Sequence, residues 1–101
     1  MLVWVYKSHI GGLFTESKPL TADECYCEQC GDYDWEIGCF ETMADFVAAY
    51  ADNIAAVPCE GGIDIDALIE DVGWAFEDKL THGQVKEIAM MNKTYKEENN
   101  E

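Results

Sequence analysis

The chain has 101 residues, a formal net charge of −15 at pH 7 and 49% hydrophobic residues, including three Trp, five Tyr and four Phe. This length gives room for one domain with its own core, and the aromatic content excludes an acidic disordered tail. The charge disfavours direct binding to nucleic acid or anionic membranes, and no apolar run approaches the roughly 20 residues of a membrane span.

The first forty residues predict β-structure. Residues 2–6 alternate with β-branched and aromatic side chains, and Gly11-Gly12 supplies a turn before a second strand at residues 13–15. A further hairpin is expected from Cys25 to Phe40, with its turn around Gly31. These three or four strands are expected to form one antiparallel sheet.

From residue 42 onward, the apolar residues recur with the spacing of an α-helix. Thr42 followed by Asp45 is close to a capping box, and Thr81 followed by Gln84 caps a later helix. The expected apolar stripes are Met43, Phe46, Val47, Tyr50 and Ile54 in a first helix, Ile65, Ile69, Val72, Phe76 and Leu80 in a second helix over Asp64–Leu80, and Val85, Ile88, Met91 and Tyr95 in a third.

The order of elements predicts an α+β fold, in which an N-terminal antiparallel β-sheet of three or four strands is followed by three α-helices. Pro58 and Gly61-Gly62 are expected to end the first helix. Residues 1–96 form the predicted single acidic domain, and residues 97–101 form a frayed polar tail.

The negative charge is concentrated in one block. Between Lys18 and Lys79 the chain has sixty residues without lysine, arginine or histidine, and these sixty include sixteen carboxylates. The chain contains no arginine at all. Ordinary solvated surfaces mix both signs, and like charges repel one another in a compact fold. The block therefore favours a function over simple solubility, which is the other explanation of a charged surface.

Helical phase, at about 100° per residue, separates acidic from apolar faces on the first two helices. Trp74 falls among the acids of the second helix. It is either buried beneath the sheet or an exposed aromatic anchor able to pack on a cationic side chain. The predicted partner-binding residues are Glu41, Asp45 and Asp52 on the first helix and Asp66, Glu70, Asp71, Trp74, Glu77 and Asp78 on the second.

The cysteines indicate a possible structural zinc site. Cys27-Glu-Gln-Cys30-Gly31 has the C-x-x-C-G form of a zinc knuckle, whose spacing lets both sulfurs reach one ion. The predicted ligands are Cys27, Cys30, Cys39 and Cys25, with His9 as the alternative to Cys25. The other explanation is a bare turn with reduced cysteines, because a start without a signal peptide predicts the reducing bacterial cytosol.

No pattern in the sequence indicates catalysis, so we expect a protein that is not an enzyme and needs no cofactor besides the possible zinc. His9 and His82 are the two histidines, and the known nucleophile, phosphate-loop and metalloprotease motifs do not occur. Asp32, Asp34 and Glu36 lack the spacing of a calcium loop.

In length, net charge and strand-then-helix order the chain resembles the small acidic DNA-mimic inhibitors carried by bacteriophages and mobile elements. These include inhibitors of uracil-DNA glycosylase, anti-restriction proteins and anti-CRISPR proteins against type II effector nucleases. The resemblance concerns overall character and no shared motif, so it carries over no functional residue. It implies an inhibitor that occupies the basic nucleic-acid cleft of a CRISPR effector nuclease or, next, a restriction enzyme.

Two other functions fit the sequence. The first is a zinc-knuckle adaptor that regulates a host protein through ordinary protein–protein contacts, with its acidity serving solubility. The second is a small phage assembly component, which would oligomerise as its concentration rises. The sequence allows either a monomer or a dimer.

Overall fold

The computed structural model describes residues 1–55 and 62–93 and confirms the α+β class. The predicted tail and the helix-ending signals at Pro58 and Gly61 lie outside these residues. The strands are β1 (Val3–Lys7), β2 (Leu13–Glu16), β3 (Tyr26–Cys27), β4 (Asp32–Tyr33), β5 (Trp35–Phe40), β6 (Ile54–Ala55) and β7 (Ile63–Asp64), and the helices are α1 (Ala22–Cys25), α2 (Met43–Ala49), α3 (Ile65–Val72) and α4 (His82–Asn92).

The N-terminal sheet is antiparallel, with strand order β2-β1-β5. Gly11 and Gly12 have φ angles of 108° and 82°, which glycine adopts readily, and they form the predicted turn before β2. The predicted hairpin partner of β5 is wrong, because β5 pairs with β1 while β3 pairs with β4. This pairing places Ile37 and Phe40 against the hydrophobic core.

Residues 17–34, called the excursion below, leave the sheet between β2 and β5. The excursion contains α1, which begins with a capping box between Thr21 and Glu24, and the short β3–β4 pair. Gly31, with φ 73°, sits in the turn between the two strands as expected. Every side chain of the excursion is exposed or only partly buried, so the excursion lies outside the hydrophobic core.

Helix α2 begins as predicted but is shorter. The backbone N–H of Asp45 donates to Thr42 Oγ1 over 3.1 Å, which makes Thr42 the N-cap. The helix ends at Ala49, and a 3₁₀ turn over Ala51–Asn53 follows. Ile54, expected on the helical stripe, is instead buried in β6, which runs parallel to β7. Asp52 therefore lies on the turn and not on the outer face of a helix.

The second predicted helix, Asp64–Leu80, is also too long. Helix α3 ends at Val72 and is followed by a 3₁₀ turn over Gly73–Ala75. Phe76 then adopts extended backbone and is 2% exposed, with its ring stacked on Phe46 of α2 at a centroid distance of 6.3 Å. Tertiary packing thus overrides the helical period, and Glu77 and Asp78 do not share a helix face with Glu70.

Helix α4 confirms the predicted capping box, since Thr81 and Gln84 each accept the backbone N–H of the other. Its Val85 and Ala89 join side chains of β1, α2 and α3 in one core. Met91, expected on the same stripe, is instead 74% exposed, and Tyr95 lies outside the described residues. None of the helices in the described ranges has the length and apolar character that crossing a membrane requires.

Candidate functional site

The charged side chains in the described ranges all lie on the surface, since none of them is buried. The ion pairs between described residues that the structure shows are His9–Asp34 at 2.6 Å and His82–Asp66 at 2.8 Å, and both use a histidine. Neither pair includes a lysine. The cation-free block of the sequence therefore remains an acidic surface in the fold.

Two of the described lysines, Lys79 and Lys7, have partners other than carboxylates. Lys79 Nζ donates to the carbonyl oxygens of Phe76 over 2.7 Å and Trp74 over 3.2 Å. Lys7 Nζ lies 5.8 Å from the ring centroid of Trp35, which is a cation–π distance. Lys79 therefore bonds to backbone carbonyls and forms no ion pair with the acids of α3, all of which the structure describes.

Trp74 is an exposed aromatic residue, not part of the core. Its side chain is 68% exposed, and its indole Nε1 donates to the backbone carbonyl of Asp71 over 3.0 Å. The hydrogen bond fixes the orientation of the ring at the end of α3. A large exposed aromatic side chain with a hydrogen-bonded ring is typical of a binding anchor.

Three surface depressions near the end of α3 are linked by shared lining residues: the first and second share Trp74, and the second and third share Ala75. Glu70 and Trp74 line the first, Glu16 and Trp74 line the second together with Ala75, and Glu41 and Glu77 line the third, also with Ala75. Lys79 also lines the first depression. We call the residues Glu16, Glu41, Glu70, Trp74 and Glu77 the Trp74 surface. The four acids of this surface come from different parts of the chain: Glu16 from β2, Glu41 from the residues before α2, Glu70 from α3 and Glu77 from the segment after the 3₁₀ turn.

The structure gives two of the predicted partner-binding acids a role in the fold. Asp78 accepts hydrogen bonds from the backbone N–H groups of Met43 over 2.7 Å and Ala44 over 3.0 Å, at the start of α2. Asp71 Oδ2 accepts from the backbone N–H of Leu13 over 3.3 Å, which joins α3 to β2. Both side chains are half-buried. They are poor choices for contact with a partner.

The remaining predicted acids lie away from Trp74 along the elements. Asp66, at the start of α3, contacts His82 of α4. Asp45 is exposed in the first turn of α2, and Asp52 is exposed on the 3₁₀ turn beyond its end. The two acidic faces expected from helical phase are therefore replaced by one surface at the end of α3. Glu16, which sequence reasoning missed, comes from the neighbouring strand β2.

A second cluster of reactive side chains lies where the excursion meets the sheet. Ligand atoms of His9, Cys27 and Cys30 all lie within 4.8 Å of one another. Cys27 ends β3, and the turn back to β4 is closed by a 2.8 Å hydrogen bond from the Gly31 N–H to the Cys27 carbonyl. His9 comes from the β1–β2 turn. The C-x-x-C pair thus meets a residue distant in sequence.

Asp34 holds the His9 ring in place. Asp34 Oδ1 lies 2.6 Å from His9 Nδ1 and also accepts the backbone N–H of His9 over 2.9 Å. These hydrogen bonds lower the pKa of Asp34, and the side-chain bond to Asp34 raises the pKa of His9. With Nδ1 engaged by the carboxylate, Nε2 is the ring nitrogen left for another partner.

The two cysteines of the pair have opposite acidities. Hydrogen bonds from the Cys30 backbone N–H and the Cys30 side chain lower the pKa of the Cys27 thiol. The same hydrogen bond with Cys27 raises the pKa of Cys30. Cys27 is therefore the thiol more readily ionised, and thiolate is the form that binds a metal.

The structure does not bring the other two predicted ligands into this cluster. Cys39 is exposed on β5 opposite Trp4, and Cys25 is half-buried in α1, where burial raises the pKa of its thiol. His9, the alternative ligand, takes the third place instead. Cys59 lies outside the described residues. The sequence around His9 does not indicate that His9 contacts Asp34 or that it joins Cys27 and Cys30, because these contacts are between residues far apart in the chain. His9 and Asp34 are separated by 25 residues.

Exposed aromatic side chains lie on β3, β4 and β5 near the cluster. Tyr26 and Tyr33 are cross-strand partners whose ring centroids are 4.9 Å apart, and they are 41% and 54% exposed. Trp35 begins β5 and is 55% exposed. We call these three residues the aromatic face. Exposed aromatic clusters of this kind are typical of protein–protein contacts.

Comparison of the chain with protein-family models, with curated proteins and with solved structures gave no match.

Proposed function

We propose that this protein is a non-catalytic inhibitor that binds the basic nucleic-acid cleft of a bacterial defence or DNA-processing nuclease. A CRISPR effector nuclease is the first candidate target and a restriction enzyme the next, with the host bacterial cytosol as the place of action. The observation that carries the proposal is the Trp74 surface, where an exposed, hydrogen-bonded tryptophan shares depressions with Glu16 and Glu70, and Ala75 beside it lines a further depression with Glu41 and Glu77.

The charge of this surface suits a cleft that normally binds phosphates. Nucleic-acid clefts present lysine and arginine side chains to a backbone with one charge per roughly 1.7 Å of duplex. The carboxylates of Glu41, Glu70 and Glu77 offer the same sign of charge and the same hydrogen-bond acceptors. The net charge of −15 steers the whole chain toward such a cleft from a distance.

Trp74 adds a contact that charge alone does not provide. A guanidinium group or a lysine stem that binds the neighbouring carboxylates can lie against the indole ring. Aromatic residues of this kind contribute much of the free energy of binding at protein interfaces. The combination supports a tight, specific complex over general attraction to basic proteins.

The proposal is tested with a panel of purified CRISPR effector nucleases and restriction enzymes. Each enzyme's DNA cleavage and its binding to this chain are measured at low and at high salt. We expect stoichiometric inhibition of at least one enzyme, with binding that weakens as salt rises because exposed charges are screened. Binding that stays constant over this range would contradict the electrostatic part of the proposal.

The aromatic face favours a second candidate function, an adaptor that binds a host protein by ordinary contacts. Its specific support is the exposure of Tyr26, Tyr33 and Trp35 on neighbouring strands. An adaptor of this kind would bind through Trp35 and would depend little on salt. Parallel Trp35→Ala and Trp74→Ala variants therefore separate the two functions in one binding assay.

A further inference from the structure

The excursion is a folded segment that the hydrophobic core does not hold. Its side chains are exposed or half-buried, and α1 has no buried residue. The polar links from the excursion to β1 and its turn include the Leu20 N–H to the Tyr6 hydroxyl at 2.8 Å and the two His9–Asp34 hydrogen bonds. Small segments without a core usually require a disulfide or a metal to fix their structure.

The Cys–His cluster lies where such a cross-link would act. His9 belongs to the β1–β2 turn, whereas Cys27 and Cys30 belong to the excursion. One ion bound by all three would join the excursion to the sheet. In a tetrahedral site with Zn–S distances of about 2.3 Å, two sulfurs lie roughly 3.8 Å apart, so ligand atoms within 4.8 Å need only small movements.

We propose that His9, Cys27 and Cys30 bind one Zn²⁺ ion, with Asp34 orienting the histidine. Two thiolates and an imidazole are the donors that zinc prefers, whereas magnesium and calcium prefer oxygen. Zinc-binding histidines commonly donate their other ring N–H to a carboxylate, and Asp34 is placed to accept it from Nδ1. Three protein ligands leave the fourth tetrahedral position to water.

This site is independent of the proposed inhibition, since none of its residues belongs to the Trp74 surface. Its role is to hold the excursion, and with it Tyr26 and Tyr33 of the aromatic face, against the sheet. Failure of either proposal leaves the other standing. The metal experiment therefore needs no nuclease and no knowledge of the partner.

The first test measures zinc on the full chain after purification under reducing conditions and dialysis against a weak chelator. We expect one zinc per chain by elemental analysis. Cys27→Ser and Cys30→Ser are expected to abolish this zinc, whereas Cys39→Ser, which changes an exposed thiol on β5, is expected to retain it. A reduced wild-type chain that binds no zinc would overturn the proposal, as would zinc that survives both serine substitutions.

Titration with Co²⁺ as a spectroscopic probe tests the ligand set. Tetrahedral thiolate ligation gives intense cobalt absorption, which we expect in the wild type and in Cys39→Ser but not in Cys27→Ser. Asp34→Asn keeps the three ligands and is expected to weaken zinc binding roughly 10- to 100-fold, the usual effect of losing the carboxylate behind a ligating histidine. Wild-type affinity in both His9→Ala and Asp34→Asn would overturn the assigned ligand set.

Hydrogen exchange reports the cross-link itself. Zinc is expected to slow exchange of the backbone N–H groups of Gly31 and Asp34, which donate to Cys27 and Cys25 within the excursion. The N–H of Val85, in α4, serves as the control and is expected to change little. Equal exchange at Gly31 with and without zinc would overturn the bracing role.

Discussion

Asp78 Oδ1 accepts a 2.7 Å hydrogen bond from the backbone N–H of Met43, 35 residues earlier in the chain. Asp78 Oδ2 accepts the next N–H, that of Ala44, over 3.0 Å. One carboxylate therefore satisfies two free donors at the start of α2 and places negative charge at the positive end of the helix. An acid expected to face a partner instead joins α2 to the segment after α3.

Asp78→Ala is expected to lower the free energy of unfolding by about 1–2 kcal/mol, because it leaves two half-buried N–H groups without their acceptor. Glu77→Ala removes an exposed neighbouring acid and is expected to change stability by less than about 0.5 kcal/mol. Urea denaturation of the two variants measures both values. Equal stabilities for the pair would show that the Asp78 contacts do not support α2.

Charge reversal on the Trp74 surface is expected to abolish binding to the nuclease while leaving the fold intact. The test variant carries Glu41→Lys, Glu70→Lys and Glu77→Lys, and it leaves Asp71 and Asp78 unchanged because both stabilise the fold. The matched control makes the same change in net charge at exposed acids elsewhere in the fold. Its three substitutions are Asp23→Lys, Glu28→Lys and Glu87→Lys.

We expect the control triple variant to associate more slowly but to retain inhibition, since distant charges contribute mainly to steering. Calorimetry and circular dichroism verify the fold, and inhibition of DNA cleavage measures function. If the two triple variants lose inhibition equally, bulk charge and not the Trp74 surface is responsible.

Trp74→Ala is expected to weaken the complex by about 2 kcal/mol, or roughly 30-fold in Kd, as for an aromatic anchor at the centre of an interface. Trp35→Ala removes a second tryptophan of similar exposure and is expected to have little effect. Calorimetric titration of both variants against the inhibited nuclease provides the comparison. The reverse ranking would favour the adaptor function and the aromatic face.

The sequence predicts well those features that depend on near neighbours. Thr81 and Gln84 form their capping box because both partners lie within one turn, and Gly31 forms the knuckle turn through its own backbone freedom. The end of α3 could not be predicted in this way. Phe76 continues the helical period in sequence, but its place in the core beside Phe46 requires the chain to leave the helix.

The candidate sites likewise depend partly on contacts between residues distant in sequence, which the sequence does not predict. Cys27 and Cys30 are recognisable from their spacing, whereas the arrival of His9 and Asp34 depends on how β1, β2 and β4 are arranged. Glu70 and Trp74 are four residues apart and share a depression, whereas Glu41 lines another depression that only tertiary structure brings near the end of α3. The sequence thus identifies the types of residue and not the full membership of each site.

Tyr6 provides a prediction of pH dependence. Burial raises the pKa of its phenol, against a lowering contribution from the Leu20 N–H, and the nearby Glu36 carboxylate raises it further. Because folding raises this pKa, the protonated Tyr6 phenol stabilises the fold at pH values below about 10, the pKa of tyrosine in the unfolded chain. This stabilisation is lost as the pH rises through the pKa of Tyr6 in the folded state.

Tyr6→Phe is expected to lower the free energy of unfolding by about 1 kcal/mol at neutral pH, because the Leu20 N–H loses its acceptor. The difference between wild type and variant is then expected to shrink above about pH 10, where only the wild type loses the Tyr6 contribution. Urea denaturation of both proteins at neutral and alkaline pH measures this difference in the free energy of unfolding. A difference that grows with pH would show that the phenol is stabilised in its ionised form.

The most direct test of the central claim is competition with DNA for the target nuclease. The chain is added to the inhibited nuclease either free of nucleic acid or preloaded with its own DNA substrate, and complex formation is measured by calorimetry and gel filtration. We expect a one-to-one complex with the free enzyme and none with the loaded enzyme, because carboxylates and phosphates would occupy the same basic cleft. Equal binding to the loaded enzyme would place the inhibitor outside that cleft and contradict nucleic-acid mimicry.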